Sequence, residues 1–281
     1  SEPVPDFSAG FLMPDFSMSN LAVAFSITLA AGLFTVLGSG LVMFSKTPNP
    51  RVLSFGLAFA GGAMVYVSLT EIFSKSSEAF AEIYDKDHAF AAATMAFLAG
   101  MGGIALIDRL VPNPHETLDA QDPSFQESKR RHIARVGMMA AFAITAHNFP
   151  EGLATFFATL ENPAVGMPLA LAIAIHNIPE GISIAAPVYF ATRSRKKTVW
   201  ACLLSGLAEP LGAALGYLIL QPFLSPAVFG SVFGVIAGVM VFLALDELLP
   251  AAKRYSDGHE TVYGLTTGMA VIAVSLVLFH F

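Results

Sequence analysis

Six residues recur in this 281-residue chain, as His147-Asn148-Phe149-Pro150-Glu151-Gly152 and again as His176-Asn177-Ile178-Pro179-Glu180-Gly181, each inside an otherwise apolar stretch. On a helix, His147 and Glu151 stand four apart and Asn148 and Glu151 three apart, so all three project to one side. His176, Asn177 and Glu180 repeat the arrangement. Imidazole, amide oxygen and carboxylate are borderline-to-hard ligands, suited to zinc, iron, manganese, cobalt or cadmium rather than copper(I). Two facing copies supply more ligands than one small ion takes. The expected site is therefore binuclear, with Glu151 and Glu180 bridging, one ion on His147 and His176, and the other on Asn148 and Asn177. Glu209, in Gly206-Leu207-Ala208-Glu209-Pro210, is a further carboxylate beside a proline and suits the asparagine-rich ion, which otherwise lacks charge.

These ligands lie in oil. Hydrophobic residues make up 55% of the chain and charged residues 13%, with a mean hydropathy of +0.65, whereas soluble domains carry about 25% charge. An ionisable group at membrane depth costs about 2.5–3.5 kcal/mol even on the forgiving insertion scale, so it implies a functional partner. Pro150 and Pro179 cannot donate to the carbonyls four residues back, which predicts a kink beside each ligand set and a lined cavity. Gly152 and Gly181 allow a neighbouring helix to approach closely. The single cysteine, Cys202, excludes an internal disulfide, and no basic block argues for nucleic acid.

The elements that must position these groups are helices. A bilayer core of about 30 Å takes about 20 residues, and eight apolar stretches meet that length: 20–44, 52–73, 89–110, 136–160, 165–191, 199–220, 226–250 and 262–280. The fold class is all-α integral membrane, an eight-span bundle over 20–281 with a 111–134 loop and an acidic lead at 1–19. With the N-terminus outside, thirteen of the fifteen Lys and Arg residues fall in inner loops, only Lys75 and Lys86 fall outside, and both termini are extracytoplasmic. Residues 60–73 and 236–249 align at Gly62/Gly238, Met64/Met240, Val65/Val241, Leu69/Leu245 and Glu71/Glu247. These lie in spans two and seven, which run in opposite directions, as do spans four and five. The reading is an inverted repeat, spans 1–3 against 6–8 and span 4 against 5, with the site where the halves meet. Glu71 and the pair Asp246 and Glu247 sit toward span ends, where an entrance, an exit and plain solvated helix ends are all open readings. His88, His115, His132, His259 and His280 read as loop or terminal residues.

The paired His-Asn-x-Pro-Glu-Gly motifs resemble those of the ZIP (Zrt-/Irt-like) divalent-metal transporters, with support from Gly206 to Gly212, Ser68 to Phe73 and Ala244 to Pro250, so that the likeness covers nearly the whole chain. The resemblance implies eight spans with both ends outside, and inward movement of Zn(II), and often Fe(II), Mn(II), Co(II) or Cd(II), across a bacterial inner membrane. It also implies a binuclear site on His147, Asn148, Glu151, His176, Asn177, Glu180 and Glu209, and homodimers are frequent in the family. By the same resemblance Met64 lines the path near the first ion. The metal is then substrate, the bilayer the surroundings, and no cofactor is expected. An intramembrane metal-dependent hydrolase is the alternative class. The chain lacks the HExxH pattern and any separate nucleophile, so the reading is a transporter and not an enzyme.

Overall fold

In hydrocarbon a backbone must satisfy its own N–H and C=O groups, and helices do so within one segment. The computed structural model describes residues 18–44, 50–110, 145, 148–255 and 258–280, and these are helical apart from short turns, with no strand among them. Helix α1 is Met18–Phe44; α2 joins Pro50–Val67, a π turn at Ser68–Ile72 and Phe73–Ala81; α3 is Lys86–Leu110. The described part of α4 covers 148–161, and α5 is Pro163–Thr192. Helix α6 comprises Arg195–Gly206 and Ala208–Leu220; α7 joins Pro226–Leu243, a π turn at Ala244–Leu248 and Leu249–Tyr255; α8 is Glu260–His280. Among the described residues seven helices are long and apolar enough to cross a membrane, and the expected fourth span, 136–160, is described only at 145 and from 148 on. The 1–17 lead and the 111–134 loop lie outside the described residues too.

The main departures from the sequence reading concern helix ends. Span two continues to Ala81, through residues that read as polar loop, because Phe73, Ser76 and Phe80 form one face packed on α3 and α7. Ser76 donates to the Gly230 carbonyl at 2.6 Å, and Lys75 meets Glu78 at 2.8 Å on the other side. Arg195, Lys196 and Lys197 form the first turn of α6, capped by Ser194, so only Arg193 and Ser194 separate α5 from α6. Arg193 makes that reversal possible with a φ of 51°. Span seven likewise runs on to Tyr255.

The inverted repeat appears as contacts made twice. The two π turns, Ser68–Ile72 and Ala244–Leu248, fall at matching positions of the sequence echo. A Cβ on Gly62 of α2 would strike the Leu265 carbonyl of α8, and one on Gly238 of α7 would strike the Phe97 carbonyl of α3. Gly268 against Phe59 and Gly100 against Val235 repeat that relation. In the other half, Gly38 of α1 meets the Ile178 carbonyl of α5 as Gly212 of α6 meets Phe149 of α4, and Gly32 and Gly206 press on each other's carbonyls.

The helices thus sort into two groups. One holds α1, α4, α5 and α6; the other holds α2, α3, α7 and α8. They meet chiefly where α2 lies along α5, with Gly56 near Pro179.

Candidate metal centre

Each half-motif is presented by an unbroken helical segment, which puts Asn148 and Glu151 on one face of α4, and His176, Asn177 and Glu180 on one face of α5. Glu209 enters from α6 at a break: Leu207 interrupts the helix, and Pro210 cannot bond back to Gly206, so Glu209 lies in the first turn of a new segment, Ala208–Leu220. Asn148, Glu151, His176, Asn177, Glu180 and Glu209 are all 0% exposed. His147 lies outside the described residues.

Their mutual contacts fix which atom each presents. Asn148 Nδ2 donates to the Ser205 carbonyl at 3.1 Å and to Ser205 Oγ at 3.3 Å, and Asn177 Nδ2 donates to the Ala31 carbonyl at 2.9 Å. A carbonyl can only accept, so in both amides the bonded atom is the nitrogen and Oδ1 is the atom left over. Asn177 Nδ2 also donates to Glu209 Oε1 at 2.6 Å. His176 Nδ1 lies 3.1 Å from the Ala172 carbonyl and must carry the proton there, leaving Nε2 to face Glu151 Oε1 at 3.0 Å. Two acceptors at that separation need a proton or a cation between them. Ligand atoms each about 2.1 Å from one ion, at octahedral to tetrahedral angles, lie about 3.0–3.4 Å apart.

The remaining valences point the same way. Asn148 Oδ1, Glu151 Oε2, Asn177 Oδ1, both Glu180 oxygens and Glu209 Oε2 are buried and have no hydrogen-bond partner among the described residues. Each unsatisfied buried acceptor costs about 1–3 kcal/mol, and more when charged. Six such acceptors on three neighbouring helices are what a cation would satisfy. Ligand atoms of Glu151, His176 and Glu180 lie within 4.8 Å of one another, so one ion can take all three. Oxygen with imidazole suits divalent Zn, Fe, Mn, Co or Cd.

The other expected residues fall elsewhere. Met64 is fully buried on α2, in the second helix group, and Glu71 is half-buried within the Ser68–Ile72 turn. Asp246 is exposed and Glu247 half-buried in the Ala244–Leu248 turn, where Asp108 of α3 joins them with ligand atoms inside 4.8 Å. Sequence reading overlooked Asp108, because only the α3–α7 packing brings it there. It also overlooked Ser205, whose hydroxyl accepts from Thr145 at 3.0 Å beside Asn148. Its position four residues before Glu209, on the same helical face, was the available signal.

A sequence model described as ZIP zinc transporter matches residues 111–276. The zinc transporters ZupT of Neisseria meningitidis serogroup C and serogroup A are each 99% identical over 269 residues, covering 96% of this chain and 100% of the relative. The zinc transporter ZupT of Xanthomonas axonopodis pv. citri is 68% identical over 265 residues, covering 94% and 97%. The chain belongs to the ZIP zinc transporter family. Its class is therefore transport and not hydrolysis, and this ZIP chain is an all-α membrane protein with several spans.

Proposed function

We propose that this protein carries Zn(II), and with it Fe(II), Mn(II), Co(II) and Cd(II), into the cytoplasm across a bacterial inner membrane, by alternating access at a binuclear centre. The observation that carries the reading is the convergence of six fully buried acceptor oxygens and His176 Nε2 at mid-helix depth, between two clusters of acids. One cluster, at the far end of α2 and α4, holds Glu78, Glu82 and Glu161 around Lys75; the other is Asp108, Asp246 and Glu247. The first ion uses His147, His176, Glu151 and Glu180, with Met64 beside it. The second uses Asn148, Asn177, the same glutamates and Glu209.

Direction rests on the charge asymmetry of the loops, which puts the Lys75 end and both termini outside and the Asp108 end inside. Glu71 then lies on the entry side, and Asp246 and Glu247 on the exit side. The pairing of Arg51 with Glu260 at 3.4 Å fits this arrangement, since it joins the starts of α2 and α8 on one side. Movement of one four-helix group against the other would expose the same ligands first to one side and then to the other.

Reconstitution in liposomes tests the proposal. Zinc influx should saturate, show counter-transport, and vanish in Glu151→Ala and Glu180→Ala. Influx unchanged in both variants would sink it, and non-saturating flux without counter-transport would turn the carrier into a channel. Mass photometry in nanodiscs reads the homodimer expected from the family resemblance.

A further inference from the structure

The inverted repeat pairs every residue of the centre with a counterpart, and one pair is chemically unequal. Asn177 donates to the Ala31 carbonyl at 2.9 Å as Asn148 donates to that of Ser205 at 3.1 Å, so Ala31 and Ser205 correspond. The mutual contact of Gly32 and Gly206 and the matched contacts of Gly38 and Gly212 keep the same register. Gly181 abuts the Thr35 carbonyl where Gly152 abuts the Glu209 carbonyl. Thr35 of α1 therefore stands where Glu209 stands on α6.

Most helical threonines of this chain bond back along their own helix, and Thr35, like Thr155, does not. Thr28 on the same helix donates to its i−4 carbonyl, Ala24, at 2.9 Å, and Thr70, Thr94, Thr159, Thr192 and Thr266 do likewise. The i−4 carbonyl of Thr35 is that of Ala31, which instead receives Asn177. Thr35 Oγ1 is buried with no partner among the described residues, and the residue is 0% exposed. The neighbourhood is that of the centre. The Glu209 carboxyl carbon lies 3.3 Å from a Cβ built on Gly32, one turn before Thr35, and Thr35 Cβ lies 3.5 Å from one built on Gly206, one turn before Glu209.

We propose that the Thr35 hydroxyl completes the oxygen shell of the second ion, directly or through one bound water, on the side opposite Glu209. This rests on reading the centre as a metal site. Adding the counterpart of Glu209 gives the second ion Asn148, Asn177, Glu151, Glu180, Glu209 and Thr35, a shell of oxygens. The neutral hydroxyl keeps the centre at three carboxylates, so two divalent ions are not fully neutralised and one is released more readily. A longer side chain fits at 35, because the glycine that makes room for Glu209, Gly32, has its counterpart in Gly206.

The test is calorimetric titration of purified protein with zinc chloride, comparing wild type, Thr35→Val, Thr35→Ser and Thr35→Glu, with helicity checked by circular dichroism. Wild type should bind in two steps. Thr35→Val should weaken the second step by about 10–100-fold, the usual effect of losing a supporting metal contact, and leave the first step in place. Thr35→Ser should match wild type, and Thr35→Glu should tighten the second step. A Thr35→Val isotherm superimposed on wild type overturns the assignment, and so does an equal loss in Thr35→Ser, which would mean packing. Unaltered zinc binding in Glu151→Ala/Glu180→Ala would instead remove the metal centre itself, and Thr35's role with it.

Discussion

Asn148 and Asn177 do two jobs with one side chain each: the nitrogens fasten α4 to α6 and α5 to α1, and the oxygens are left for the centre. Glu209 adds charge to that arrangement while accepting from Asn177, and a glutamine in its place can still accept. Glu209→Gln therefore isolates charge from hydrogen bonding. It should reduce retained zinc from two ions to one per protein after dialysis, read by mass spectrometry, with helicity unchanged; two ions retained would exclude Glu209 as a ligand of the second ion. At this scale the candidate ligands were legible in the sequence, because the same six-residue pattern occurs twice in apolar surroundings. Thr35 was not legible. A threonine in an apolar helix gives no signal until its i−4 carbonyl is seen to be taken by another helix.

At the scale of elements, glycine decides which helices touch. Gly181→Ala would drive a methyl into the Thr35 carbonyl, whereas a methyl on Gly40 of the same α1 meets nothing within 4 Å. Gly181→Ala should lower the melting temperature by the equivalent of about 1–3 kcal/mol or more, as overpacking does. Gly40→Ala should raise stability by about 0.5–1 kcal/mol through helix propensity. Equal melting temperatures for the two would remove the close approach of α1 and α5. The start of α3 carries a pH dependence. Asp85 accepts from the Asp87 and His88 backbone at 3.2 Å and lies 2.7 Å from His88 Nδ1, and these contacts, those of His88 foremost, hold its carboxyl below the usual range. The folded value lies below the unfolded one, so the cap is fully present above the ordinary carboxylate pKa and is lost as pH falls through the lowered one. Hydrogen exchange at Asp87 and His88 should rise, relative to the intrinsic rate, only in that acid window, and a flat ratio would argue against the cap. Span number and order were readable from hydropathy alone. The extension of α2 to Ala81 was not, since its polar residues share a helix with a face that only α3 and α7 reveal.

At the scale of the whole molecule, the proposed metal ligands on α4, α5 and α6 belong to one helix group, while Met64, Glu71, Asp246 and Glu247 belong to the other. Alternating access then requires the seam between α2 and α5 to change. A Cβ on Gly56 would stand 3.9 Å from Pro179 Cβ, within the span of about 3.5–4.5 Å that a disulfide bridges. Gly56→Cys/Pro179→Cys should lose zinc uptake on oxidation and regain under dithiothreitol the rate of Pro179→Cys alone. Full uptake by protein shown to be cross-linked would mean that the seam does not move. The repeat was half-legible: the echo of α2 in α7 could be read, but the correspondence of α1 with α6 rests on glycines and carbonyls that no sequence alignment weighs.

The distribution of those glycines carries a mechanical meaning. Among the described residues, the glycines that press backbone against backbone do so between helices of the same group, and the glycine at the seam, Gly56, makes only an ordinary side-chain contact. Backbone keyed into backbone resists shear, because sliding by a fraction of a residue brings a Cα against a carbonyl. A smooth side-chain surface does not. Each group is thus toothed internally and unkeyed against its neighbour, so the chain has put its gears inside the moving parts and a plain bearing between them.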